Sequence, residues 1–537
     1  MGLPQPRLEE LPQPAPEPVP DAPSDQPAIS DGMAVLLFCG LALALRALVF
    51  PFTQNLYGDA VVRTELAERW LTSPKLITSF ADGVLQFGPL HTYVLAAFLA
   101  VWHNRELAGR LASIVPGVLT VIPTWRVTQR LFGRRAAIWT TLGFCFWGMH
   151  IQMSTTAGSE ALSLCLFAFC IDALVEGLEG GHFGPLARSA VLLNFACAVR
   201  YDMWMYVPLF GLAVALSGKD RVAAVTKAVM FTGLALVFPL LWMEGNEKAM
   251  GDPLYPVHFI DQFHKSWTQA GVAWLGATRF RLWGLVFWPG TLLLTCSPLF
   301  GAACLAGATR AMVKKEHRLL VLFALVPTLY FTVRTLLLTF SPLARFTVPE
   351  LWLCLPFAYA GLKLVTDRIP RRLGQAVAAL TVLGVVATPV ALAAITFHVD
   401  TGWGNTLKPV SPVTTMPEDQ LQVAHWLGGH LPEPESLLLD YDDAYTDIGV
   451  AFYSNIPEAR LVRLRWEAED PGSHTPERIA KLQPSTLIVF GDGKLLAHPG
   501  VSRDGDALRA FGRSFHKVKG FEDGRFEVFR ADPNFAR

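Results

Sequence analysis

"GPLHTYVLAAFLAVW", Gly88 to Trp102, is as apolar as a membrane helix but only about 15 residues long. Crossing the hydrocarbon takes about 20 residues. A run this short, with His91 near its start, reads as interfacial or re-entrant. That reading fixes the side on which every later loop falls. Eleven other apolar runs lie near 33–52, 107–131, 136–153, 159–178, 186–199, 203–217, 222–243, 281–309, 319–339, 346–366 and 374–398. With 88–102 on the surface and the N-terminus inside, four basic clusters become cytoplasmic, as the positive-inside rule asks. They are "RLFGRR" (130–135), "SGKDR" (217–221), "RAMVKKEHR" (310–318) and "DRIPRR" (367–372), joined by "EGLEGGHFGPLAR" (176–188). Counting 88–102 as a span would move them all outside. The expected fold is an all-α polytopic membrane domain of about 11 transmembrane helices.

Composition agrees. With 52% apolar and 17% charged residues and a mean hydropathy of +0.35, the chain is too apolar for a soluble enzyme. Its formal net charge of zero offers nothing to nucleic acid. The eight cysteines all fall inside apolar runs, which argues against a disulfide framework or a cysteine metal site. Residues 1–32 are rich in proline and acid without a basic leader segment, so a disordered tail ahead of an uncleaved first span is expected. Residues 33–398 form the membrane domain, with a first outer loop at 53–106. From 399 to 537 the composition shifts, and "SLLLDY", "ARLVRL", "STLIVF" and "GRFEVFR" alternate with helical patterns. This reads as a small α/β domain on the non-cytoplasmic side.

The polar groups of the membrane region then gather on the outer face. Asp59 follows the first span within "NLYGDAVVRTELAERW" (55–70), and Arg63 lies one turn further along an amphipathic helix. Glu65, Glu68 and Arg69 read as solvated interfacial charges. Glu160 begins a span, where a helix N-terminus favours an acid; it is either a capping acid or part of a site. Arg200 and Asp202 form a boundary ion pair that is functional or structural. Arg345, in "SPLARFTVPELW", suits bidentate binding of a phosphate, with headgroup snorkelling as the alternative. The loop 244–280 adds His258, His264 and Lys265. These histidines have no carboxylate at metal-ligand spacing, so neither a metal nor another cofactor is indicated. No Walker loop, GxSxG elbow or HExxH motif occurs.

The order of motifs resembles the GT-C class of integral-membrane glycosyltransferases. The likeness is to the family 39-like group, with its protein O-mannosyltransferases and lipid A aminoarabinose transferases. It is carried by the acid after the first span, by "GPLHTYVLAAFLAVWHNRELAGRLASIVPGVLTVIPTWRVTQRLFGRRAAI", and by "MSTTAGSEAL", "RYDMW", "GDPLYP" and "RFTVPELW". It covers about residues 33–400. The resemblance implies transfer of a sugar from a polyprenyl-phosphate donor to a lipid, glycan or protein acceptor on the extracytoplasmic face of a bacterial inner membrane. Asp59 would be the general base, Glu160 would position the acceptor or support the site, and Arg345 would stabilise the leaving phosphate. Many relatives carry Lys-Pro-Pro where this chain has "QFGPL", with Gly88 at the lysine position. Phosphate binding then passes to another cation, from Arg63, His91, Arg200 or Arg345. Other classes remain open: a transporter or lipid flippase with Asp59, Glu160 and Arg200 along its path, or an inactive scaffold acting through the C-terminal domain.

Overall fold

The computed structural model describes residues 29–55, 59–84, 87–218, 220–315, 317–398, 410–442, 446–465, 475–521 and 525–531. The expected disordered tail lies almost wholly outside these residues. Helix α1 (Asp31–Val49) starts on Ser30, whose side chain accepts from the Met33 N–H. Helices α2 (Ala60–Thr72), α3 (Pro89–Val101) and α4 (Arg105–Leu119) follow. The 13 residues of α3 reach about 20 Å, too little to cross a bilayer. It buries Leu95, Ala96 and Leu99 with Ala60 and Ala67 of α2 and Ala108 and Ala112 of α4.

Helix α5 (Val121–Cys145) is broken at Gly133, whose φ of 81° glycine reaches without strain. The "RLFGRR" loop is that break. Next come α6 (Gly148–Met153), α7 (Glu160–Gly180), α8 (Phe183–Val199), α9 (Tyr206–Ser217), α10 (Arg221–Ala235) and α11 (Val237–Met250). The region 244–280, read from sequence as a loop, is mostly helix α12 (Tyr255–Leu275). Tyr255, Phe259, Phe263 and Trp267 run along one face of it, each ring within 6.3 Å of the next. The run 281–309 divides at Ser297 into α13 (Ala277–Thr295) and α14 (Pro298–Lys314). Pro298 is the cause, because it drives the preceding residue out of the helical region. The bundle ends with α15 (Arg318–Leu336), α16 (Val348–Cys354), α17 (Ala358–Thr366) and α18 (Arg371–His398).

Among the described residues, six helical stretches are long and apolar enough to cross a membrane, and α10 with α11, bent by 46°, make a seventh when taken as one span. One of the six, Arg105–Cys145, holds two of the runs read from sequence; α8, α9 and the α13–α14 pair carry the rest. The basic loops meet at one end. Arg134 pairs with Asp31 at 3.2 Å, Arg188 with Glu176 at 2.6 Å, and Phe132 packs 4.7 Å from His317. The first residues of α1 are at this end, so the end of α1, and Asp59 after it, lie at the other.

The C-terminal domain sits at that other end. Its seven-stranded sheet has the order β2-β1-β3-β7-β6-β5-β4. Strands β1 (Leu437–Leu439), β2 (Leu461–Arg463) and β3 (Thr486–Phe490) are parallel, and β7 (Phe526–Ala531) pairs antiparallel with β3. These are the four runs quoted from the sequence. Strands β4 (Val501–Asp504), β5 (Ala507–Ala510) and β6 (Arg513–Gly520) add a meander the sequence reading passed over. Alternate residues bury on opposite faces: Leu439, Ile488 and Val528 under helices Glu418–His430 and Thr446–Tyr453, and Leu438, Leu487 and Phe529 with Ile479 of helix Thr475–Leu482.

Candidate active site

Segments far apart in sequence deliver charged side chains to the end of the bundle beneath the C-terminal domain. Asp59 is the residue on which α2 starts: its main-chain carbonyl accepts from the Arg63 N–H at 2.9 Å. Its carboxylate makes no cap. Oδ2 accepts instead from Nη1 of Arg345 at 2.9 Å, and Arg345 comes from the 3-10 turn Ala344–Thr347 before α16. The side chains are 31% and 17% exposed, so the pair lies at a boundary between water and protein. Burial alone would raise the Asp59 carboxyl, but the guanidiniums of Arg345, Arg63 and Arg200 outweigh it and hold the group below the usual carboxylate range.

Arg63 is buried, with its guanidinium 3.9 Å over the Phe87 ring. Its Nη1 has no hydrogen-bond partner among the described residues, a costly state for a buried cation. Arg200 is in the opposite condition. Its Nη1 donates to Glu160 at 2.6 Å, and its Nε and Nη2 fork onto Asp202 at 3.0 and 3.1 Å. Glu160 is the first residue of α7, so it sits at a helix N-terminus and pairs with Arg200 as well.

His91 is buried on α3, and hydrogen-bonds the backbone of Gly158. Burial first, then Arg63 and Arg200, push its pKa well below the ordinary histidine value. The neutral ring is favoured and donates to Gly158, and its Nδ1 has no hydrogen-bond partner among the described residues. This counts against the expectation that it binds phosphate as a cation. His258 does not join the cluster: it is 59% exposed on α12 and its Nδ1 lies 2.7 Å from Oδ2 of Asp252. The histidine of α12 that reaches the site is His264, stacked 4.1 Å from Phe340 and 5.5 Å from Phe346. Arg200 and Arg345 approach that same Phe346 ring at 5.4 and 5.6 Å.

Two solvated charges of the sequence reading turn out otherwise. Glu65 is buried and takes both Nη atoms of Arg463 from the C-terminal domain, at 3.1 and 2.5 Å. Glu68 receives Nε and Nη2 of Arg105 at 3.0 and 2.8 Å. Both partners lie outside α2, beyond the reach of a local helical pattern. Arg69 is exposed, as expected. Gly88 also has its reason. A Cβ there would fall 2.3 Å from the Ala198 carbonyl oxygen and 2.6 Å from that of Val199. The start of α3 presses on the end of α8, leaving a lysine no place at this position.

Among the buried ionisable residues that the sequence reading passed over are Glu350 and Arg46. Glu350, in α16, accepts from the Tyr206 hydroxyl at 3.1 Å. Arg46, in α1, donates to Ser154 at 2.7 Å and lies 2.8 Å from Nδ1 of His150. An ionisable residue inside an apolar run was the available signal for each. Among the described residues, no group of three or more His, Cys, Asp or Glu could hold a metal.

Bundle, interfacial helices, buried charge cluster and C-terminal sheet together make a helical integral membrane protein whose fold is shared with a solved structure, that of ArnT. The solved structures it resembles include ArnT from Cupriavidus metallidurans. The apo form is 15% identical with a TM-score of 0.62, covering 94% of this chain and 99% of that one. The form bound to undecaprenyl phosphate is 15% identical with a TM-score of 0.63, covering 95% and 100%. Residues 86–243 match the family described as dolichyl-phosphate-mannose-protein mannosyltransferase. A comparison with curated protein sequences gave no match.

Proposed function

We propose that this protein transfers a sugar from a polyprenyl-phosphate donor to an acceptor on the extracytoplasmic face of the membrane. The observation that carries the reading is a carboxylate paired with one cation beside a second cation whose hydrogen bonding is incomplete among the described residues. Asp59 is ionised and held by Arg345, while the neighbouring buried Arg63 has hydrogen bonds to spare. Asp59 takes the proton of the acceptor as it attacks the anomeric carbon. The bond from that carbon to the phosphate oxygen breaks, and its electrons pass to the phosphate. Arg63 and Arg345 meet the charge that grows there. Arg200, already committed to Glu160 and Asp202, fixes the frame. His91, neutral, is placed to accept a hydrogen bond from substrate.

The carboxyl's depressed pKa makes Asp59 a weak base in the free protein. A bound phosphate would draw charge from Arg345 and Arg63 and so raise its basicity when the donor is in place. Support for the polyprenyl carrier comes from the fold shared with ArnT, one structure of which holds undecaprenyl phosphate, and from the family match over 86–243. Support for the extracytoplasmic side comes from the basic loops, all at the end of the bundle opposite Asp59. Mass analysis of membrane glycolipids and glycoproteins tests the reading, comparing cells carrying the native chain with cells carrying Asp59→Asn. One sugar-bearing species should disappear in the variant; identical profiles would refute the proposal.

A further inference from the structure

We infer that the C-terminal domain holds Asp59 in place, with Arg463 as the positioning residue. The inference rests on the transferase reading for its catalytic consequence and on geometry for its substance. Arg463 ends strand β2 and is 3% exposed. It grips Glu65 through both Nη atoms, and Glu458 of its own domain stands 3.1 Å from Nη2. Glu65 lies six residues after Asp59 and two after Arg63, which at 100° per residue turns it to the face of α2 away from Arg63. One face of the helix therefore carries the site while the opposite face is held by the domain.

The chain before Asp59 is held by the same domain. The Gln54 N–H donates to the Thr414 carbonyl at 2.7 Å, and the Gln54 side chain accepts from the Met416 N–H. The Asn55 N–H donates to the Tyr453 hydroxyl at 2.7 Å, while its Oδ1 accepts from the Ala157 N–H at 2.5 Å, just ahead of Glu160. Asp59 is thus bracketed by contacts to the C-terminal domain at 54–55 and at 65. Breaking the buried pair by removing Arg463 leaves the Glu65 charge uncompensated, and α2 must shift to hydrate it. A displacement of about 1 Å of a catalytic group is worth on the order of 100-fold in rate.

The test uses the full chain, purified in detergent, as Arg463→Met, Arg463→Lys and the exchanged pair Glu65→Arg with Arg463→Glu, the last made together with Glu458→Gln so that the new carboxylate meets no like charge. In Arg463→Met, kcat should fall about 10- to 100-fold with the donor KM within about threefold. Hydrogen exchange over 60–72 should rise at least about 10-fold while that of α7 stays unchanged. Arg463→Lys, which keeps the charge but loses the fork, should fall between. It decides the matter if Arg463→Met does not yield folded protein. The exchanged pair should recover most of both readouts. Unchanged exchange over 60–72 in Arg463→Met and Arg463→Lys, or a pair no better than Arg463→Met, would overturn the inference. If the native chain itself shows no transfer, the transferase reading fails, and the exchange data still decide whether Arg463 holds α2.

Discussion

The two ends of the bundle use the same residue types under opposite conditions. At the basic end, Arg310, Lys314, Arg318, Arg368, Arg371 and Arg372 are all exposed, and water solvates their charge. At the Asp59 end, Arg63 is buried, and the side chains of Arg200 and Arg345 are only 9% and 17% exposed. Each of these three meets a carboxylate or an aromatic ring. A cation in water orients the chain in the membrane and little else. A cation drawn out of water is costly unless matched, and where the match is incomplete, as at Arg63, a ligand can complete it.

The widest split between the two ends comes from Arg63→Met set against Arg310→Met. The first should lower kcat/KM about 10²- to 10³-fold, the range seen when one electrostatic donor is lost from an active site. The second should stay within about twofold. Comparable losses in both would erase the distinction.

Packing gives the next effect. Gly88→Ala places a methyl group against the Ala198 and Val199 carbonyls, and overpacking of this kind costs about 1–3 kcal/mol. Thermal unfolding in detergent should show the loss, whereas Gly184→Ala, with nothing within 4 Å of its added Cβ, should show none.

The pH response follows from the depressed Asp59 carboxyl. Because the folded-state pKa is lowered, the group stays ionised from neutral pH down through the ordinary carboxylate value of about 3.9. The stability it contributes is present above that value and is lost as pH falls through the lower folded-state pKa. For the proposed transfer, kcat/KM should therefore show no acid limb from Asp59 between about pH 7 and 5. Arg345→Met removes both the nearest cation and its hydrogen bond to Asp59, so the limb should move up. A limb that stays in place would separate Asp59 from Arg345.

The smallest effect belongs to Glu68→Gln. Its pair with Arg105 is partly exposed, at 31% and 16%, and should be worth no more than about 1 kcal/mol in thermal unfolding.

Local signals carried much of this architecture. Apolar run length showed that α3 does not cross, and the charge of the loops sorted the two ends. Four strands of the C-terminal sheet stood out as short apolar runs. The β4–β6 meander did not, because "VSRDGDALRAFGRSFHKVKG" alternates weakly, although its Gly505-Asp506 and Phe511-Gly512 turns were a readable sign. At the site, Asp59, Arg63, Glu160, Arg200, Asp202 and Arg345 were legible as polar residues at the ends of apolar runs. Their pairing was not, since Asp59 and Arg345 lie 286 positions apart and Glu65 and Arg463 lie 398 apart. Helical spacing within 55–70 could show only that Glu65 and Glu68 were charged. Arg463 sits in a strand that reads as ordinary β pattern.

The most direct measurement is single-turnover release of polyprenyl phosphate from a labelled polyprenyl-phosphate sugar by the protein reconstituted in liposomes, native chain against Asp59→Asn. The native protein should release the carrier and label the acceptor. The variant, still folded and still binding donor, should be slower by about 10²- to 10⁴-fold, the usual contribution of a general base. Release by Asp59→Asn at the native rate would contradict the role assigned to this carboxylate.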